Sequence, residues 1–102
     1  MNNIVAYKIK YLSKKTLPGS LGFNYAIEFN LKHGNSRQDY CERYERYVSL
    51  FYNCRDKFGI EYQKHWSRKQ LKRNWYVQSM SNNIVRFCFK TQKKCFMAQL
   101  MY

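Results

Sequence analysis

The feature that most constrains the fold is a run of large apolar side chains between residues 36 and 59, recurring at intervals of three and four residues. This spacing places them along one stripe of an α-helix. Ser36 can cap the first turn, Asp39 stands at the capping-box position, and Gly59 can adopt the left-handed conformation that ends a helix. The segment therefore predicts one long amphipathic helix. Its apolar stripe consists of Tyr40, Tyr44, Tyr47, Phe51, Cys54 and Phe58.

The region before this helix shows the alternation of half-buried β-strands. Residues 3–12 and 21–32 alternate large apolar side chains with small or polar ones, and the only proline lies in the basic loop 13–20 between them. Such a pair of runs predicts an antiparallel hairpin with one apolar and one polar face. In the second run we expect the apolar face to carry Phe23, Tyr25, Ile27, Phe29 and Leu31. The polar face should carry Asn24, Ala26, Glu28 and Asn30.

The region after the helix contains weaker signals. Residues 84–90 alternate clearly and predict a strand, residues 95–102 are β-like, and residues 75–80 fit a strand and a helix end equally well. Ser67 can cap a short basic helix over residues 68–74. The β-like runs predict a C-terminal hairpin.

Chain length and these elements together predict one α+β domain spanning residues 1–102. We expect an antiparallel sheet, built from the N- and C-terminal hairpins and packed on one long amphipathic helix, and a second short helix is compatible with the pattern. The N-terminus lacks a secretory signal, and no apolar run approaches the roughly 20 residues that span a bilayer. We therefore expect a cytoplasmic, intracellular protein with no membrane partner. The sequence carries no information on its oligomeric state.

The distribution of charge is the strongest functional signal. The chain has 19 basic and 6 acidic side chains, for a formal net charge of +13. Codon bias in an AT-rich genome would explain many lysines, but it would not explain where the acids lie. All but one of the acids fall in or beside the predicted helix: Asp39, Glu42, Glu45, Asp56 and Glu61. The other is Glu28, and no acidic side chain follows Glu61, so the remaining cations predict a surface for a polyanion.

Three groups of cations are candidates for that surface, because lysine and arginine at this density suit phosphate groups. The densest lies within residues 64–76 and comprises Lys64, Arg68, Lys69, Lys72 and Arg73, with Trp66 among them as a ring that either stacks on a base or anchors the core. The second consists of Lys8 and Lys10 in the first strand, with Lys14 and Lys15 in its loop. The third consists of Arg86, Lys90, Lys93 and Lys94 around the last hairpin. Because alternate residues of a strand share a face, these groups would merge into one positive surface of the sheet, backed by the long helix.

These observations predict a small, basic, non-enzymatic nucleic-acid-binding protein that contacts phosphates. RNA or single strands are favoured over duplex DNA, because no helix-turn-helix or zinc motif is present. Cys41, Cys54, Cys88 and Cys95 lack the spacing of a zinc site, and we expect reduced thiols, with a cross-strand contact between Cys88 and Cys95 as the alternative. We expect no metal ion, cofactor or catalytic residue, since no catalytic motif occurs.

Two other classes of function are compatible with the sequence. The basic surface could instead meet an acidic protein, which would make the chain a protein-binding regulator or inhibitor from a virus or mobile element. Size, charge and the β-meander predicted over residues 75–102 also resemble the RelE-type toxins, small basic proteins that cleave RNA without a metal ion. That resemblance implies a metal-independent ribonuclease, although the N-terminal hairpin departs from the strand-then-helices order of that family.

Overall fold

A computed structural model describes residues 9–31, 37–63, 73–79 and 84–101, with the backbone alone for residues 38–40. The described residues form a four-stranded antiparallel sheet and three helices, which confirms the α+β class. In chain order the elements are β1 (Lys10–Tyr11), α1 (Leu17–Ser20), β2 (Tyr25–Asn30), α2 (Arg37–Phe58), β3 (Trp75–Ser79), β4 (Ile84–Phe89) and α3 (Gln92–Met101).

The sheet joins two hairpins side by side. Its strand order is β1-β2-β4-β3, and every neighbouring pair is antiparallel. The N-terminal pair β1–β2 and the C-terminal pair β3–β4 are therefore connected through β2 and β4, with Tyr25 opposite Phe89. Strand β3 resolves the ambiguity over residues 75–80 in favour of a strand, because Trp75 and Tyr76 are buried against β4. The predicted strand over residues 84–90 is confirmed as β4.

The long helix predicted over residues 36–59 is confirmed as α2, and Gly59 follows it with a φ of +87°. Of the predicted apolar stripe, Cys54 is fully buried but Tyr44 is 47% exposed. Leu50, which was not part of the predicted stripe, is also buried. Burial of each large side chain contributes about 1.5–3 kcal/mol. Ring contacts join α2 to the sheet through Tyr47–Phe87, Phe51–Trp75 and Phe58–Phe89, with centroids 5.8, 5.6 and 5.5 Å apart.

The strand predicted over residues 95–102 is wrong, because residues 95–101 lie in α3. Thr91 caps the helix by accepting a hydrogen bond from Lys94 N at 3.2 Å. Cys95 and Ala98, one turn apart, are fully buried in the main core, and the residues around them have good helix propensity. A short apolar run does not distinguish a strand from a buried helix. Helix α3 packs against β2, β4 and α2.

The basic loop predicted over residues 13–20 contains the short helix α1. Thr16 caps it, since its hydroxyl accepts a hydrogen bond from Gly19 N at 3.0 Å, and Pro18 lies at the helix start, where its missing N–H costs nothing. Pro18 and Gly19 are buried, and Gly19 packs closely against the backbone of Leu12 and Ser13.

The polar face predicted for the N-terminal hairpin is in part a second hydrophobic core. Ala26 and Cys88 are fully buried on it, and Phe23 packs there too, opposite to the side that Ile27 faces. The expected position of Phe23 beside Ile27 is wrong, because Phe23 precedes β2 and its N–H bonds to the Pro18 carbonyl at 2.9 Å. The cluster consists of Leu12, Phe23, Ala26, Tyr76 and Cys88.

Two further predictions fall largely beyond the described residues. Of the first predicted strand only Lys10–Tyr11 is assigned, and of the helix predicted over residues 68–74 only Arg73 and Asn74 are described, outside any helix. Tyr62 instead forms an isolated parallel bridge with Tyr76 at the edge of β3.

The four cysteines are free thiols. Burial raises the pKa of Cys54, Cys88 and Cys95 to about 12 each. Cys95 lies in a helix, so it is not the cross-strand partner of Cys88. Within the described ranges, no group of three His, Cys, Asp and Glu side chains could hold a metal ion. In the same ranges, no helix is long and apolar enough to cross a bilayer.

Candidate nucleic-acid interface

The twelve predicted site residues divide into two sets. Half lie outside the described residues: Lys8, Lys64, Trp66, Arg68, Lys69 and Lys72. The others are described: Lys10, Arg73, Arg86, Lys90, Lys93 and Lys94. Their positions do not form the single positive sheet surface that was expected.

Lys10 and Arg86 lie on the predicted polar face of the sheet, but both are paired with Glu28. Arg86 donates to Glu28 Oε2 through Nε at 2.9 Å and lies 2.7 Å from it through Nη2, and Lys10 Nζ contacts Glu28 Oε1. Gln78 Oε1 accepts a further bond from Arg86 Nη1 at 3.1 Å. We call this polar row (Lys10, Glu28, Gln78 and Arg86) the open face.

The open face is an ion-pair network, and its carboxylate is firmly ionised. Burial by itself raises the pKa of Glu28, but the hydrogen bonds and charges of Lys10 and Arg86 outweigh it, so the pKa lies below its usual value. The Arg86 side chain is only 13% exposed. Arg86 therefore holds the sheet together more than it presents charge to a ligand, whereas the Lys10 side chain is 58% exposed. Glu28 cancels one of the two positive charges, so the expected positive surface is weakened at these residues.

The other described cations gather at one end of the sheet. Because neighbouring strands are antiparallel, β1 and β4 finish where β2 and β3 begin, as the bond from Lys90 N to Asn74 O at 3.3 Å shows. Helix α2 also ends here, since Trp75 Nε1 donates to the Gly59 carbonyl at 2.7 Å. We call this region the basic end and define it by Lys14, Lys15, Lys57, Arg73, Lys90, Lys93 and Lys94.

Two described carboxylates, Asp56 and Glu61, lie near the basic end. Glu61 is 8% exposed, and Arg55 donates to its two oxygens at 2.8 and 3.0 Å. Burial raises the pKa of Glu61, but the hydrogen bonds of Arg55 outweigh this effect, and the net pKa is lowered. Arg73, a predicted site residue, donates to the Glu61 backbone carbonyl at 2.8 Å and so supports the segment after α2. The Glu61 carboxylate is held by Arg55 and does not neutralise the lysines.

Four lysines of the basic end lack a salt-bridge partner among the described residues. Lys14, Lys15 and Lys93 are exposed and Lys94 is half-buried. Among the described residues none of these four makes a salt bridge. Lys90 is different, because its ammonium lies 5.5 Å from the centroid of the Phe23 ring, a cation–π contact.

Backbone geometry adds to the positive potential at the basic end. Lys93 and Lys94 stand in the first turn of α3, which contains no acidic residue. The unpaired N–H groups of that turn carry the positive end of the helix dipole, so they reinforce the charge of the lysines. This arrangement destabilises the helix slightly and attracts anions.

The turn that carries Lys14 and Lys15 is ordered. Thr16 Oγ1 donates to the Ser13 carbonyl at 2.8 Å, and Ser13 Oγ accepts from Lys15 N at 3.3 Å. Gly19 packs so closely that a Cβ there would lie 1.9 Å from Ser13 O. Sequence reasoning placed both lysines in a loop but missed Lys57, because the position of the end of α2 relative to the sheet has no local sequence signal.

Taken together, the described candidate residues include an ion-paired row on the open face and a concentration of cations at the basic end, where Lys14, Lys15, Lys93 and Lys94 make no salt bridge among the described residues. The second arrangement has the composition of a phosphate-binding surface. No protein-family model, curated protein or solved structure matches this chain. Any statement about function therefore rests on the chemistry of these residues.

Proposed function

We propose that the protein binds nucleic acid, without catalysis, through the basic end. The observation that carries this proposal is that two lysine pairs, Lys14–Lys15 and Lys93–Lys94, follow strands that finish at the same end of the sheet, the second pair in the first turn of α3. The nearby Glu61 is paired with Arg55. Phosphates fit this chemistry because each neutralised phosphate releases condensed counterions.

The proposal predicts a strong dependence of affinity on salt. With about four to six phosphate contacts, the slope of log affinity against log salt concentration should be about −3 to −5. The measurement is fluorescence anisotropy of a labelled single-stranded RNA, titrated with protein at several KCl concentrations. A slope near zero, or no binding at low salt, would contradict the proposal.

A pair of matched variants locates the surface. K93Q/K94Q should weaken binding and make the slope shallower by about 1–2, because two phosphate contacts are lost. The control R37Q/R46Q removes the same charge from the N-terminal half of α2, away from the basic end, and should leave the slope unchanged. Equal effects of the two variants would mean that net charge, and no particular surface, drives binding.

A second candidate function is docking on an acidic protein. It is favoured by Phe96 and Leu100, which are 50% and 71% exposed and lie one turn apart on α3, on the side of the helix that carries Lys93. Purification at low and then high salt separates the two candidates. Co-purified nucleic acid, seen as a raised 260/280 nm absorbance ratio that high salt abolishes, supports the first; a clean preparation that retains one acidic protein supports the second.

The ribonuclease alternative loses part of its basis. Among the described residues of the meander predicted over residues 75–102, the strands are β3 and β4, and Gln92–Met101 forms α3. What is left of the resemblance to RelE-type toxins is size and charge. Recovery of intact RNA after metal-free incubation with excess protein is the expected result.

A further inference from the structure

Tyr11 is an exposed aromatic ring at the basic end. It is the last residue of β1, and its side chain is 68% exposed. The chain continues from it directly into the ordered turn that carries Lys14 and Lys15. An isolated exposed ring needs no functional explanation, but this ring shortly precedes, in the chain, two lysines that make no salt bridge among the described residues.

The orientation of the ring is set by its neighbours. Tyr11 lies opposite Tyr25 in the sheet, and the two rings meet edge to face with centroids 5.7 Å apart and planes at 75°. Backbone pairing of Lys10 and Tyr11 with β2 holds the strand in place. The ring is therefore positioned before any ligand arrives, which lowers the entropic cost of a contact.

The second pair of lysines is within reach of the same ring. Tyr11 lies opposite Tyr25, and Tyr25 lies opposite Phe89 at the end of β4. With strands about 4.8 Å apart, Tyr11 is about 10 Å from β4 across the sheet. Helix α3 begins three residues after Phe89 and packs against β2, on the face to which Tyr25 and Tyr11 belong. A single-stranded nucleic acid whose phosphates contact these lysines would bring its bases to Tyr11.

We infer that Tyr11 is a stacking platform for an unpaired base, and that the ligand of the basic end is therefore single-stranded nucleic acid. This inference rests on the proposed function and adds the class of ligand. Bases of a duplex are already stacked on each other and cannot reach an exposed side chain, whereas every unpaired base offers a π-face. Stacking of this kind tolerates any sequence.

The test uses three probes of equal length and label: a single-stranded RNA, an abasic strand with the same number of phosphates, and a duplex. Y11L should weaken binding of the single strand about 5- to 150-fold, the range expected for one stacked base. Binding of the abasic strand should be unchanged, because its phosphates are intact. The matched control is Y52L, since Tyr52 is 60% exposed on α2 and also lies edge to face with a neighbour, Phe51.

Y11W provides a test that does not depend on removing the ring. A larger ring should keep or strengthen binding of the single strand, and a marked loss would contradict stacking. Circular dichroism and thermal unfolding of each variant establish that the fold is retained.

The outcomes separate the two proposals. If Y11L binds the normal strand as tightly as the unaltered protein, and the lysine variants still weaken binding, stacking at Tyr11 is refuted while nucleic-acid binding stands. Tight binding of the duplex and the abasic strand, equal to that of the single strand, would also refute it. Absence of binding to all three probes at low salt would refute the proposed function itself.

Discussion

The open face and the basic end are built from the same kinds of side chain, yet they use their charge differently. On the open face, Lys10 and Arg86 share the single carboxylate of Glu28 across three strands. At the basic end, Lys14 and Lys93 are exposed and make no salt bridge among the described residues. One region uses cations to hold strands together, and the other presents them to solvent.

The difference shows that the density of lysine and arginine along a chain does not measure the charge available to a ligand. A single well-placed acid pairs with two cations that lie far from it in sequence and cancels the charge of one of them. Glu28 does this for Arg86, 58 residues away, and Arg55 keeps Glu61 from doing the same to the basic end. Variants that alter one of the two regions show whether the other is affected.

The largest expected effect is loss of stability on removing Arg86. Arg86→Ala leaves Glu28 in a largely buried position with Lys10 alone, and we expect a cost of about 3 kcal/mol, the low end for a broken buried ion pair. The melting temperature should fall by about 10–20 °C. Thermal and urea unfolding measure both quantities.

The matched change at the basic end should affect RNA affinity and leave stability nearly unchanged, the opposite of what we expect for Arg86→Ala. Lys93→Ala should alter the free energy of unfolding by less than about 0.5 kcal/mol while weakening the binding of RNA. Arg86→Ala should leave that affinity nearly unchanged in the folded protein. A large loss of affinity in Arg86→Ala would assign ligand binding to the open face and remove the contrast between the regions.

Gly19→Ala should disturb the basic end through its backbone. The added Cβ would lie 1.9 Å from Ser13 O and 2.7 Å from Leu12 O, so the turn that carries the first lysine pair must move. We expect a cost of about 2 kcal/mol and weaker RNA binding, measured by unfolding and anisotropy.

Gly22→Ala is the control for this change. Gly22 has a φ of +93° but nothing within 4 Å of its added Cβ, so the variant should lose about 1–2 kcal/mol through backbone strain and keep its affinity. If both glycine variants bind RNA normally, the geometry of the turn is not needed for binding.

A smaller effect than that of Arg86→Ala concerns pH and Glu28. Because its pKa in the folded protein is below the ordinary value of 4.5, the carboxylate stabilises the fold above that pH. The contribution is lost as the pH falls through the lowered folded value. Glu28→Gln should lower the free energy of unfolding at pH 7 by about 1 kcal/mol, since it exchanges charge-assisted hydrogen bonds for neutral ones. Its stability should then decline less steeply with acid, as urea unfolding between neutral and acidic pH would show.

Glu28→Gln also tests whether the open face takes part in RNA binding. Glu28→Gln leaves Lys10 and Arg86 without a counter-charge, so the open face becomes more positive. If that face bound phosphates, RNA affinity would rise; we expect it to stay nearly constant. Glu61→Gln is the complementary change, because it releases Arg55 at the basic end, where affinity should rise slightly.

The sequence predicted those elements whose signals are local. Helix α2 was predictable from a long run of apolar residues at intervals of three and four, followed by Gly59. Strands β2 and β4 were predictable from the alternation of apolar and polar residues. The sequence did not predict α3, because the apolar run that contains the buried Cys95 and Ala98 is short, and a short apolar run is compatible with both a helix and a strand. Nor did it predict that Phe23 and Cys88 would cover each other on the supposed polar face.

For the candidate site, the sequence by itself determined the excess of cations and the absence of acids after Glu61. Only the tertiary structure decided which cations are neutralised, because an ion pair depends on distance in space. Strand order brings Glu28 beside Arg86, and antiparallel pairing brings the ends of β1 and β4 together. Both depend on contacts between distant parts of the chain, which no local pattern of residues encodes.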